Sequence, residues 1–377
     1  MRIGVAREIK DGERRVAVIP DGVQVLAADG HDVVVARGAG ARVGIDDSAY
    51  ARAGARIAHV AADVYACELV AKVKELQPEE WPLLKSGSTI CGFAQLNRDP
   101  ALLDAVLRAR INAIAFEAVR DARHALPLLA PMSRIAGRLA PFAAQEALSS
   151  DAGSGVLLTG VDAVAGARVV VIGAGNVGAQ AATVAAGMGA RVDVFSRGAA
   201  RLEALAAAVP SRIATHAIAG SDSACAARFA GAIADADVVI GAVLEPGRLS
   251  PRLITRAMLR TMRRGSVLVD VGIDQGGIAE TSRMTKLSAP TYVDEGIVHS
   301  CVANLPARVA RTATMALAAA ALPLLRALAS LGVAAALRAD AGSAAGVMTW
   351  DGEVVHAGLA QDAGLPCAAG AWQRAAR

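Results

Sequence analysis

Short apolar runs and amphipathic stretches alternate along the first 130 residues. Ile3–Ala6, Asp32–Ala36, Leu69–Val73, Thr89–Phe93 and Ile111–Phe116 are largely apolar over four to six residues, the pattern of strands covered on both faces. Between them, Asp21–Ala28, Asp46–Ala53 and Asp99–Arg108 read as helices, with Asp21 as the N-cap of the first. Leu126-Pro-Leu-Leu-Ala-Pro-Met-Ser133 then leads into a helical run, Arg134–Leu148, which suits an interdomain connector. A second series of strands follows at Val169–Ile172, Arg191–Phe195, Val238–Ala242 and Ser266–Val271, closed by the glycine-rich loop Gly272–Gly277. Asn304-Leu-Pro306 breaks this pattern, and the Ala-rich helices beyond it are expected to return to the first domain. Met315–Leu325 is wholly apolar but is soon interrupted by Arg326. The run is far short of the ~20 residues a membrane span needs, so it predicts a buried helix. Gly346–His356 reads as a polar hairpin. Strands spaced by helices predict an α/β protein with two doubly wound, Rossmann-like domains, parallel sheets and long connecting helices. The expected boundaries are 1–130 plus 305–377 for a substrate domain and 131–304 for a dinucleotide-binding domain.

The most specific signal is Arg168–Arg197. An apolar strand ends in Gly173-Ala-Gly175-Asn176-Val177-Gly178, a helix runs to about Met188, and a second strand, Arg191–Phe195, follows. Strand, glycine turn, helix and strand are the context a dinucleotide fingerprint requires. Gly173 permits the turn, Gly175 lets backbone approach a pyrophosphate, and Gly178 allows close helix–strand packing. The helix start offers amides and a positive dipole end to phosphate. A chain that reads NAD usually carries Asp or Glu at the tip of the second strand. Here the tip is Ser196-Arg197, with Arg201 close behind. Guanidinium groups pair with a phosphate where a carboxylate would repel it. NADP(H) is therefore the favoured cofactor, with NAD(H) possible.

Composition narrows the picture. The 377 residues are 54% hydrophobic but only 3% aromatic, so the core must rest on Ala, Val, Leu and Ile. Lys and Arg number 39 against 35 Asp and Glu, a balance with no basic field for nucleic acid or anionic membrane. Cys67, Cys91, Cys225, Cys301 and Cys367 are scattered without a CxxC. They fit reduced thiols better than a disulfide framework or a metal site. The first eight residues lack a signal-type apolar segment, and the expected location is cytoplasmic.

Outside the glycine loop, candidate chemistry is less specific. Arg15 borders an apolar run, where a guanidinium can hold a carboxylate or simply belong to a solvated basic loop. Period-2 alternation puts Lys72 and Lys74 on one face of a strand end. They point either into the crevice at the carboxyl edge of the sheet or to solvent. Asp270 and Asp274 flank another strand end, one as a turn former and one within reach of the nicotinamide. His299 precedes a candidate site segment.

In this order the pieces resemble the alanine dehydrogenase and pyridine-nucleotide transhydrogenase family over nearly the whole chain. The carriers are Gly4-Val-Ala-Arg-Glu8, Gly12-Glu-Arg-Arg15-Val-Ala-Val-Ile-Pro20, Lys72-Val-Lys74-Glu75, the Leu126–Ser133 segment, the Gly173 fingerprint, Val239-Ile-Gly-Ala-Val-Leu244, Val269-Asp-Val-Gly-Ile-Asp274-Gln-Gly-Gly and Cys301-Val-Ala-Asn304-Leu-Pro. The resemblance implies an active site in a cleft between two domains and reversible oxidative deamination of a small amino acid to a 2-oxo acid and ammonia. It implies that Arg15 and Lys74 hold the substrate carboxylate and carbonyl, that Asp274 is the catalytic carboxylate, and that Glu117 supports the cationic site. It further implies cofactor contacts from Met132, Ser133, Asn176, Val177, Val243, Leu244, Val271 and Asn304, and a homo-oligomer, hexamer or dimer. Two departures stand out. Gln95 occupies the position of a family histidine, and an amide cannot shuttle a proton near neutral pH as imidazole does. Proton handling would pass to Asp274, Lys74, a water or His299. Ser196 stands where NAD-using members carry Asp. The expected activity is an NADP(H)-preferring amino-acid dehydrogenase. The alternatives are an imine reductase of opine type and a non-catalytic cofactor-binding protein.

Overall fold

Apolar runs that satisfy their backbone groups in a ladder can be buried on both faces, and most of those named above become strands. β1 (Arg2–Val5), β2 (Asp32–Ala36), β3 (Arg56–Ala58), β4 (Leu69–Ala71), β5 (Thr89–Gly92) and β6 (Asn112–Ala115) come from the first part of the chain, β14 (Val347–Trp350) and β15 (Glu353–Val354) from the last. The computed structural model describes residues 1–209, 213–218, 223–243 and 250–374. Among the described residues these strands form one sheet in the order β15-β14-β6-β5-β4-β1-β2-β3. β1 pairs in parallel with both β2 and β4, so the strand order reverses between β1 and β4. Ligands of open α/β sheets bind at that reversal, beyond the carboxyl ends of the strands.

The second sheet repeats the plan. β7 (Arg168–Ile172), β8 (Arg191–Ser196), β9 (Ile213–Ala217), β10 (Val238–Gly241), β11 (Val267–Asp270), β12 (Thr291–Asp294) and β13 (Ile297–Ser300) are ordered β12-β13-β11-β10-β7-β8-β9. Its reversal lies between β7 and β10, where Gly173 leaves the sheet. The chain divides into two compact units, Met1–Met132 with Val309–Arg377, and Ser133–Arg308. It passes from the first to the second within the helix Leu129–Leu148 and returns just before the helix Ala310–Leu331.

Small side chains build the cores, as a composition poor in aromatics requires. In the second unit Ala181, Ala182, Ala185 and Ala186 of the helix Asn176–Met188 are buried in one cluster with Val169, Val171, Val192, Val194 and Ile240. On the helix Ala310–Leu331 the buried positions include Ala310, Ala313, Thr314, Leu317, Ala321, Leu324 and Leu328, the stripe of a helix packed on one side.

Local details depart from the sequence expectations. Asp21 does not cap the first helix; Ile19 holds that position and Pro20 takes the first helical turn, where its missing N–H is harmless. The connector helix starts at Leu129 and not at Arg134, so the Pro-flanked approach is itself helical. β4 stops at Ala71, before the two lysines. The hairpin is no polar appendage: β14 is buried at Val347, Met348 and Thr349 and pairs antiparallel with β6. Its turn is Asp351-Gly352, with φ 50° and 87°, the residues a tight hairpin turn favours.

Candidate active site

In the second unit the three fingerprint glycines answer three separate demands. Gly173 has φ 104°, and a Cβ there would lie 2.5 Å from the Ala242 carbonyl oxygen. A Cβ on Gly178 would fall inside the shell of the Gly173 carbonyl oxygen. Gly175 differs, because a Cβ there meets nothing nearer than Arg201 Nη1 at 4.0 Å. Its lack of a side chain leaves open space over the helix start and serves no neighbour in the protein. The helix Asn176–Met188 makes its first backbone bond from Ala179 N to Gly175 O, 2.9 Å. Its opening amides, at Asn176, Val177 and Gly178, have no partner within the helix. An open glycine over free helix amides is a cradle for an anionic pyrophosphate, so the residues fit a dinucleotide.

At the end of β8, Ser196 is half-buried and its Oγ accepts the Gly198 amide at 3.4 Å. Arg197 and Arg201 are exposed. Arg201 lies over the Gly198 turn, where a Cβ would sit 3.7 Å from its Cδ, and its Nη1 reaches over Gly175. Thus Gly175, Ser196 and Arg201 belong to one corner of the unit. Val243 follows β10, half-buried, and its carbonyl accepts the Ser250 hydroxyl at 3.2 Å. Leu244 lies outside the described residues.

After β11 the two aspartates separate in role. Asp270 is buried and its Oδ2 accepts from Ile278 N at 2.8 Å and Ser282 Oγ at 2.5 Å. Burial pushes its carboxyl above the usual carboxylate range. It is the turn former, and the tie across to Ile278 shapes the segment between. Asp274 is half-buried within that segment, on the single helical turn Val271–Gln275. Val271 is half-buried at its start. Ser133 and Asn304 are half-buried at the two ends of the unit, and Asn304 adopts φ 71° in the turn that its carbonyl closes with Ala307 N at 3.0 Å. His299 is buried inside β13 and not at a site. Its Nδ1 meets Ile297 O at 2.9 Å and its Nε2 the Thr281 hydroxyl at 2.7 Å, while its ring stacks on Tyr292. Burial lowers its basicity, so it is a neutral core histidine.

In the first unit the candidates gather beyond the carboxyl ends of β1, β4, β5 and β6. Arg15 is not on a solvated loop. It is 2% exposed, its Nε and Nη2 are held by Glu13 at 2.7 and 2.6 Å, and its Nη1 lies 3.1 Å from Met132 Sδ. Lys74 is 6% exposed and pairs with Glu75 at 3.5 Å, while Lys10 binds the other Glu75 oxygen. Burial pushes the Glu75 carboxyl up, but the two ammonium groups outweigh it and hold it below the usual range. Gln95 follows β5 with φ 45°, a left-handed conformation that costs a non-glycine residue roughly 1–2 kcal/mol. Glu117 stabilises that turn by accepting the amides of Gln95 and Ala94 at 2.8 and 3.2 Å. Burial pushes the Glu117 carboxyl up, against those amides and the Lys74 charge. A cavity of about 20 Å³ opens beside Lys74 between Gly92, Ala94, Leu96 and Leu102, room for a group the size of a water or a methyl.

Lys72 does not share the surroundings of Lys74. It is 1% exposed and lies between Glu80 and Glu8, at 2.6 and 3.4 Å. The alternation argument fails because the strand ends before either lysine. The pairing acids Glu8, Glu13 and Glu80 were not picked out by the sequence. Glu13 had a signal, as a carboxylate two residues before a buried arginine. Glu80 had one too, as the acid of the capping box begun by Gln77.

Comparison with known proteins agrees along the whole length. Residues 4–136 match the family model described as alanine dehydrogenase/PNT, N-terminal domain, and residues 140–357 match its C-terminal counterpart. An alanine dehydrogenase of Halomonas elongata is 44% identical over 367 residues, 97% of each chain. A solved L-alanine dehydrogenase superposes with a TM-score of 0.90 at 39% identity, over 96% of this chain and 99% of that one. A transhydrogenase from Sinorhizobium meliloti superposes with a TM-score of 0.77 at 28% identity, over 95% and 99%.

Proposed function

The chain belongs to the alanine dehydrogenase/PNT family, and from that premise we propose that it interconverts a small L-amino acid with its 2-oxo acid and ammonia, using a nicotinamide dinucleotide. One observation supports this reading most. Each sheet reverses its strand order where the chain presents what the reaction needs: an open glycine over helix amides in one unit, a buried lysine in the other.

Gly173, Gly175, Gly178 and the amides of Asn176 and Val177 would hold the pyrophosphate, with Val243, Val271, Ser133 and Asn304 toward the nicotinamide half. The bound nicotinamide supplies or accepts the hydride. Lys74 donates a hydrogen bond to the substrate carbonyl oxygen and draws charge onto it, making the carbonyl carbon a better electrophile. Arg15, clamped on one side by Glu13, presents Nη1 to the substrate carboxylate. The cavity beside Lys74 accepts a side chain about as large as a methyl group. Asp274 takes up and returns the protons of the nitrogen and of the water that is released or consumed. Gln95 donates a hydrogen bond but moves no proton.

The finer cofactor reading is NADP(H). Ser196 leaves the strand tip uncharged, and Arg197 and Arg201 supply guanidinium groups for a 2′-phosphate. The same reading takes the enzyme as a cytoplasmic homo-oligomer; its five free cysteines suit a reducing compartment. Steady-state assays with pyruvate, ammonia and either reduced cofactor test the proposal. Turnover favouring NADPH is expected, and no turnover with any 2-oxo acid would refute it.

A further inference from the structure

We infer that Glu8, Lys72 and Glu80 are positioning residues for Lys74: a buried acid–lysine–acid bridge that grips the backbone on either side of it. The inference rests on the reading of Lys74 as a substrate-binding group. The chain leaving β1 carries Glu8, and the chain leaving β4 carries Lys72 to Gln77, so the bridge sits at the reversal of the sheet. Lys72 Nζ joins Glu80 Oε1 at 2.6 Å to Glu8 Oε2 at 3.4 Å. Each acid then spends its other oxygen on backbone. Glu8 Oε1 accepts the Val73 amide at 2.6 Å, and Glu80 Oε2 accepts the Gln77 amide at 2.7 Å. Lys74 lies between these two gripped amides. The Tyr65 hydroxyl donates to Glu80 Oε1 at 2.5 Å and fixes the second acid in turn.

Stability alone is a weak reason for such a bridge. Buried ion pairs and triads are often matched or bettered by apolar residues of similar volume. Burial also pushes the Glu8 carboxyl up, against the Lys72 charge and the Val73 amide. What the arrangement supplies is direction, through charge-assisted bonds aimed at amides one and three residues from Lys74. Misplacing a binding group by ~1 Å can lower activity about 100-fold, so a grip of this kind acts on substrate binding. Lys72 itself is closed off by both acids and touches no substrate.

The test uses the full-length enzyme with pyruvate, ammonia and reduced cofactor. In the double variant Glu8→Gln/Lys72→Met the bridge is close to its native volume and loses two of its three charges, while Glu80 keeps the Tyr65 hydroxyl and the Gln77 amide. The expected result is a fall of about 100-fold in kcat/KM for the 2-oxo acid, chiefly through KM. NAD(P)H affinity, read by fluorescence, should stay within about two-fold, because the cofactor cradle belongs to the other unit. Glu8→Gln alone keeps Lys72 paired with Glu80 at 2.6 Å as well as an oxygen for the Val73 amide, and should recover part of the loss. A folded double variant with KM within about two-fold of wild type overturns the inference. Lys74→Ala is the control that separates the two claims. If it abolishes turnover while the double variant is unaffected, only the positioning role fails. If it leaves KM unchanged, the substrate-binding reading of Lys74 fails and takes the positioning role with it.

Discussion

A single methyl group at Gly175 should separate cofactor binding from folding. The residue has φ −78°, which any amino acid adopts, and a Cβ there lies 4.0 Å from its nearest neighbour, Arg201 Nη1. Replacing glycine restricts the unfolded chain and stabilises by about 0.4–1 kcal/mol. Alanine is also a poorer N-cap than glycine by a comparable amount. The two effects offset, and Gly175→Ala should melt within ~4 °C of wild type, given about 2–4 °C per kcal/mol for a unit of this size. The methyl does, however, occupy the space where a pyrophosphate would meet the helix amides. Losing one charge-assisted hydrogen bond there costs about 1.5–3 kcal/mol, or roughly 10- to 150-fold in affinity. Gly178→Ala is the contrast, since its Cβ would press into the Gly173 carbonyl oxygen and sit 3.2 Å from Ala242 Cβ. Backbone must then move, at about 1–3 kcal/mol or more, and both melting temperature and affinity should fall. Melting without cofactor, together with fluorescence titration of NADH and NADPH, reads both quantities. Unchanged affinity in a normally stable Gly175→Ala protein would refute the assignment of the phosphates to this loop.

Three further outcomes follow from the same geometry. Ser196→Asp places a carboxylate beside Arg197 and should move the NADPH-to-NADH preference toward NADH by about 10-fold or more; an unaltered ratio would show that this corner does not read the 2′-phosphate. Gln95→His should raise alanine turnover by about 10-fold and introduce a pH dependence centred near 6.5, and an unchanged rate and profile would place proton handling wholly elsewhere. Glu295, gripped by Arg260 and Arg256, has its carboxyl held down to about 2 from 4.5. Its contribution is therefore full above the unfolded value and fades as pH falls toward 2. Glu295→Gln should melt lower than wild type at pH 6, with the gap closing on acidification; a gap constant between pH 6 and 2 would contradict the assignment.

What could be read from the chain, and what could not, divides by the range of the constraint. The Gly173 loop is legible because its demands are local: the turn, the open position and the close packing fall within six consecutive residues. The strands that escaped notice are β3, β9, β12 and β13. β9 and β12 are partly exposed along their length, so no continuous apolar run marks them. His299 looked like a candidate because nothing nearby in sequence announces that a strand will bury it. The lysines make the point most clearly. Alternation treats Lys72 and Lys74 alike, yet one partner of Lys72 is 64 residues away. A buried charge must be paired, and its partners decide what it is for. Lys72 has two carboxylates to itself. Lys74 shares Glu75 with Lys10, and its charge also acts on the buried Glu117. Lys72 is enclosed by its two acids, whereas Lys74 makes a longer ion pair, 3.5 Å, and borders a cavity. That difference in partners, invisible in the spacing Lys-x-Lys, is what favours Lys74 as the substrate-binding residue in the proposed function and Lys72 as the one that positions it.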